Sequence, residues 1–184
     1  MDSSVDPRPL LGEPLALDLL NTEWVEDGRP RDLLGSPDGV RTWLHGNGLP
    51  VDNPEEAATR LIEARAAIRG VLAHRDPESG ARGRLNAVLE HGRVRVLLDG
   101  EGQPERRVEA DEASWLPGVL CAYNLVELLE RFPGRIRRCA HPSCVLWFLD
   151  TSRNGTRRWC SMAGCGNRAK AQRHYDRTRG SRDS

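Results

Sequence analysis

Apolar positions along the chain fall into short periodic runs, separated by stretches rich in Gly, Pro and charge. Leu15, Leu17 and Leu19 alternate as in a strand, whereas Leu15, Leu19 and Leu20 share a helix face. Both patterns fit so short a run, and we take it as a helix. The fourteen residues before it are polar and Pro-bearing and read as an extended arm. Glu23 to Gly39 reads as a loop. Asp38 is then expected to cap a short helix through Val40, Trp43 and Leu44, ended by Gly46 or Gly48. Asn53-Pro54-Glu55-Glu56 is a helix start: an oxygen for an orphan N–H, a proline suited to the first turn, and acids against the dipole. Leu61, Ala64, Ile68 and Val71 or Leu72 carry that helix to about Ala73, with Arg60, Glu63 and Arg69 in water.

Leu85, Val88 and Leu89 mark a shorter helix. Val94, Val96 and Leu98 lead into Asp99-Gly-Glu-Gly-Gln-Pro104, and Arg106 to Ala110 returns, which predicts a β-hairpin. Ser114 to Arg131 is the most sustained helical pattern. Leu116, Leu120, Tyr123, Leu125, Leu128 and Leu129 form its apolar side, and Asn124, Glu127 and Arg131 share a polar one. Pro133-Gly134 ends it and marks a boundary. Cys121, inside this helix, reads as a small buried hydrophobe.

Beyond that boundary the pattern changes, and cysteine decides how. Cys139-x4-Cys144 and Cys160-x4-Cys165 are two pairs of equal spacing, fifteen residues apart. Each pair can aim two sulfurs at one point, and the segment between can fold back to bring the points together. That is what tetrahedral zinc requires. Four thiolates leave no open position for water or substrate, so such a site is structural. Two disulfides are the alternative. His141, two residues after Cys139, reads as a loop histidine rather than a ligand. Between the pairs, Val145 to Leu149 reads as a strand, Asp150 to Gly155 as a turn, and Thr156 to Trp159 as the returning strand. Gly166-Asn167 opens a last helix of about ten residues. This is a treble-clef-like or ribbon-like module.

Charge adds a second signal. The chain is neutral overall, with 27 basic and 27 acidic side chains, yet residues 1–130 carry 14 basic and 24 acidic while residues 131–184 carry 13 basic and 3 acidic. Such segregation points to a polyanion partner for the C-terminal part. Because 26 of the bases are Arg and only Lys170 is Lys, the choice of Arg carries little information; the segregation does. Lys170, Arg173 and Arg177 line one side of the last helix beside His174, with Ala171 and Tyr175 on the packed side. Arg153, Arg157 and Arg158 sit on the hairpin, and Arg168 begins the helix. The same split suggests that the acidic part masks the basic one.

Several functions find no support. There is no phosphate loop, no His-Glu-x-x-His and no nucleophile–base set, so no enzyme is expected. His45, His74 and His91 read as solvated, and Trp24, Trp43 and Trp115 as core. No apolar run is long enough to cross a membrane, and the first residues do not resemble a secretory signal, so a cytoplasmic location is expected.

Cys165-Gly166-Asn167-Arg168, with Leu149-Asp-Thr-Ser-Arg-Asn154 and Arg157-Arg-Trp-Cys160 before it, resembles the CGNR zinc-finger family over roughly residues 136–178. Leu17-Asp-Leu-Leu-Asn-Thr22 resembles the ABATE domain joined to that finger, in proteins described as stress-induced transcription regulators. The resemblance implies zinc on Cys139, Cys144, Cys160 and Cys165, and DNA contacts from Arg153, Arg157, Arg158, Arg168 and Lys170. Arg173 and Arg177 join that set from the helix pattern.

The expected protein is α+β: a mainly helical N-terminal domain with a β-hairpin (1–132) and a small zinc module with a basic helix (133–184). Its expected role is zinc-dependent DNA binding in transcription regulation, with the N-terminal domain sensing a signal or forming a homodimer. Docking of an acidic protein partner, or RNA binding, is the alternative.

Overall fold

The computed structural model describes residues 6–49, 52–73, 80–171 and 175. In chain order the elements are α1 (Leu15–Leu20), β1 (Glu23–Glu26), β2 (Arg29–Asp32), α2 (Pro37–Gly46), α3 (Pro54–Ala73), α4 (Ala81–Glu90), β3 (Gly92–Leu98), β4 (Pro104–Ala110), α5 (Leu116–Arg131), β5 (Ile136–Arg138) and β6 (Trp147–Leu149). A π-helical turn at Met162–Gly166 leads into a last helix that runs from 167 through 171, with residue 175 also helical. Three antiparallel hairpins, β1–β2, β3–β4 and β5–β6, are the sheets among the described residues. None of the described helices is long and apolar enough to cross a membrane. The α+β class, helical first and metal-centred last, is as the pattern predicts.

α1 lies at the centre of the N-terminal part. Ala16, Leu17, Asp18, Leu19 and Leu20 are all buried, so this helix is covered on every side. It packs against α3 and α5, whose buried residues include Leu61, Ala64, Ile68, Val119, Ala122 and Leu125. Asn124 of α5 accepts from the Ala16 N–H at 3.0 Å, which satisfies an orphan donor at the start of α1. Asn124 therefore turns inward instead of joining a polar face. Leu129, assigned to the apolar side, is instead 40% exposed.

Further expectations on this part are corrected. The stretch taken as a loop contains β1–β2, joined by Asp27 (φ 49°) and Gly28 (φ 74°). Two successive left-handed residues make a type I′ turn, and Asp-Gly is the dipeptide that favours it. The cap of α2 is Ser36, whose Oγ accepts from Gly39 N, with Pro37 in the first turn; Asp38 lies beyond the cap. The N-terminal arm is pinned from Asp6 onward. Arg8 is buried and donates to Asp18 Oδ1 at 2.8 Å while holding Asp6. The Asn53 cap stands as predicted, with Oδ1 accepting from Glu56 N. His91 is not a free solvated ring: it stacks on Trp115 at 3.9 Å and bonds Asp111. His74 lies outside the described residues.

The zinc module shares the core of the N-terminal part. Phe148 is fully buried, and Leu146, Trp147 and Leu149 are buried beside it in one apolar cluster with α1, α3 and α5. The hairpin here differs from expectation. β6 pairs with β5, in register Ile136↔Leu149 and Arg138↔Trp147, and no strand forms at 156–159. Asp150 explains why. Its buried carboxylate accepts from Ser152 N, Ser152 Oγ and Arg157 N, which turns the chain away from a ladder. Gly155, at φ 62°, lies against the Arg135 guanidinium; a Cβ there would sit 2.6 Å from Nη1.

Candidate metal centre and basic surface

Cys139 and Cys144 bracket the turn at the tip of β5–β6. The knuckle is closed by Cys139 N–H to Leu146 O at 2.9 Å and Cys144 N–H to His141 O at 3.0 Å. Cys160 and Cys165 come from the segment that leads into the last helix. There Ser161 Oγ accepts from Gly164 N, and Gly166 N donates to Ser161 O. Ala140 N–H to Arg158 O ties the two halves together.

The four sulfurs lie within 4.8 Å of one another and all four residues are buried. Cys144 and Cys160 are 3.9 Å apart, and Cys160 and Cys165 3.6 Å. Zinc–sulfur bonds of about 2.3 Å in a tetrahedron place sulfurs about 3.8 Å apart. All five cysteines are free thiols, which removes the disulfide alternative. The donor chemistry also demands a cation. Cys144 is drawn down to about 5, chiefly by the hydrogen bond from Cys160, and the Cys160 thiol is pushed up, first by that same bond and then by burial. Four thiols this close cannot all ionise on their own, whereas a divalent ion lets them. His141 stays out of the set; its Nδ1 bonds Ser143. Cys121 stands apart on α5, and burial keeps its thiol protonated.

The basic residues divide into two groups. Arg157 packs its guanidinium on the Phe148 ring at 4.3 Å and donates to Trp159 O, Leu149 O and Cys160 O, with Glu13 at 3.7 Å. Its donors clamp the turn, so it is not presented to a phosphate. Arg168 donates to Cys165 Sγ at 2.9 Å, an outer bond to a metal ligand. Arg153, Arg158 and Lys170 are exposed, and Arg158 lies over the Trp159 ring. Arg173 and Arg177 lie outside the described residues. Ala171 and Tyr175, expected to pack inward, are exposed.

Arg168→Leu is expected to weaken zinc retention by roughly ten-fold or more while leaving one zinc per chain at saturation, because outer partners of metal ligands typically contribute about 10–100-fold. Competition with a chromophoric chelator measures it; wild-type affinity in the variant would remove the role.

Sequence reasoning missed the contacts that seat the module. Asn21 donates from Nδ2 to Trp147 O at 3.0 Å and accepts from Trp147 N at 2.8 Å. Glu13 accepts from Leu149 N at 2.8 Å. Trp147 and Leu149 present these groups on the edge of β6 turned away from β5, so side chains of the N-terminal part complete the strand's hydrogen bonding. The motif 17–22 is thus a polar hub. Asp18 also accepts from Trp43 Nε1, and Thr22 Oγ1 accepts from the buried Arg65, which is paired bidentately with Asp32. No signal in one sequence separates such buried polar residues from solvated ones.

The site and fold together define a zinc-finger protein with a helical N-terminal partner domain. A family model described as "CGNR zinc finger" matches residues 135–178, and the ABATE model, described as "Putative stress-induced transcription regulator", matches residues 13–131. The second spans more than half of the chain, which therefore belongs to the ABATE family, with a CGNR zinc finger at its C-terminal side. None of the curated proteins matches the chain. Cys139, Cys144, Cys160 and Cys165 hold its single structural zinc.

Proposed function

We propose that this protein is a DNA-binding transcription regulator with no catalytic role, in which the zinc module meets the phosphate backbone and the N-terminal domain senses a signal or pairs two chains. One observation carries the reading. Arg153, Arg158 and Lys170 are exposed and have no acidic partner among the described residues, whereas arginines of the N-terminal part are mostly paired: Arg8, Arg31, Arg41, Arg65, Arg69, Arg95 and Arg107 each meet a carboxylate. The described acid of the module, Asp150, is buried, and its ion pair is with Arg137 at 3.5 Å rather than with any of these three. Masking of these three by the N-terminal domain, expected from the charge split, has no ion pair to support it within one chain among the described residues.

Three phosphate contacts give a log–log salt slope of about −2.7, at roughly −0.9 per phosphate on duplex DNA. Fluorescence anisotropy of the zinc-loaded full chain on random duplex should give at least that slope. Arg153→Ala with Arg158→Ala should flatten it by about 1.8 at unchanged zinc content. A salt-independent response, or preference for single-stranded RNA over duplex, would overturn the reading, and tight binding to an acidic protein instead would replace it.

A further inference from the structure

A cleft of about 500 Å³ lies where β1–β2, the end of α3 and the zinc module meet. Its volume is that of a pocket for a small organic ligand, roughly 300–1,000 Å³. The apolar lining comes from both parts of the chain: Trp24, Val25 and Pro30 from β1–β2, Val145 and Trp147 from the zinc module. Indole surface from both parts gives a flat aromatic ring an apolar partner in the cleft.

The charges around the cleft are not equally available. Glu23 is held by Arg65 at 3.1 Å and by Arg69 at 2.5 Å. Asp32 is held by Arg65 at 2.7 Å, and Arg31 reaches Glu26 at 3.1 Å. Arg138 lines the cleft, is exposed, and has no carboxylate partner among the described residues. The uncommitted charge is therefore positive and borders an apolar space.

We infer that this cleft binds a small aromatic carboxylate, with its ring against Trp24 and Trp147 and its carboxylate on Arg138. The site touches the metal centre through the chain. Arg138 precedes the ligand Cys139, and Val145 follows the ligand Cys144. An occupant that contacts β1–β2 and this knuckle together favours the docked arrangement by mass action. The inference does not depend on DNA binding.

The test is calorimetry on the zinc-loaded full chain with benzoate, 2-naphthoate and indole-3-acetate, and with 2-naphthamide as the neutral isostere. At least one acid should bind at one per chain. The amide should bind about ten- to hundred-fold more weakly than 2-naphthoate, the difference made by a charged hydrogen bond. Arg138→Gln should lower 2-naphthoate to the affinity of the amide, with zinc content and thermal unfolding unchanged. Zinc loss to a chelator should slow in the presence of the bound acid. No binding of any of the acids at concentrations on the order of 1 mM (a binding free energy of about −4 kcal/mol), equal binding of acid and amide, or undiminished affinity in Arg138→Gln would each overturn it.

Discussion

Replacing Cys160 with Ala is expected to abolish zinc retention and to unfold the knuckles, while the helical N-terminal core persists. Cys160 lies between two of its fellow ligands, 3.9 Å from Cys144 and 3.6 Å from Cys165. Structural zinc contributes an apparent binding free energy of about 10–16 kcal/mol in small zinc-finger peptides at neutral pH. That exceeds what a segment of this size recovers from apolar burial alone. The affected region should run from the β5–β6 tip through the last helix, because those turns are closed mainly by bonds within the module, such as Ala140 N–H to Arg158 O. Metal analysis should fall from one zinc per chain to near none, and trypsin should cut at Arg153 and Arg158. Cys121→Ala is the control. It removes a buried thiol from α5 and leaves zinc content intact. One zinc per chain in Cys160→Ala would show that the four-sulfur site does not hold the metal.

Much of this architecture was readable from pattern, and the failures share a cause. Long elements with one apolar face, α3 and α5, announce themselves by period, and the cysteine spacing announces the metal because its ligands are chemically unusual. Short elements depend on contacts remote in sequence. β6 has three residues, too few for periodicity, and its partner is set by the Asp150 turn rather than by proximity to 156–159. β1–β2 was concealed because Trp24 and Val25 are the apolar residues of β1 and sit side by side without alternation, while β2 is charged or Pro and exposed throughout; the Asp27-Gly28 pair was the usable clue. The roles of Arg157 and Arg168 were hidden for another reason. An arginine stacked on Phe148 or donating to a cysteine sulfur is the same letter as one facing solvent, and only geometry distinguishes a clamp from a phosphate contact.

Asn21→Leu is expected to destabilise the protein by roughly 2–6 kcal/mol and to loosen the zinc module from the helical part. Asn21 is fully buried, and its amide answers both backbone groups of Trp147, at 2.8 and 3.0 Å. Leucine fills similar space but offers neither donor nor acceptor. The Trp147 N–H and C=O would then be buried without partners, at about 1–3 kcal/mol each. Denaturant unfolding should report the loss, and zinc should pass faster to a chelator as the undocked module opens. Glu13→Gln supplies the comparison on the same strand edge. The amide oxygen can still accept from Leu149 N, and burial already pushes the Glu13 carboxyl up, so removing the charge should change stability by less than about 1 kcal/mol. If Asn21→Leu unfolded at the wild-type midpoint, the strand edge would have to be satisfied by other means, and the hub at residues 17–22 would lose its role in joining the two parts. A large loss in Asn21→Leu would place much of the coupling between the helical part and the zinc module on that amide, whose two bonds bridge the end of α1 and β6.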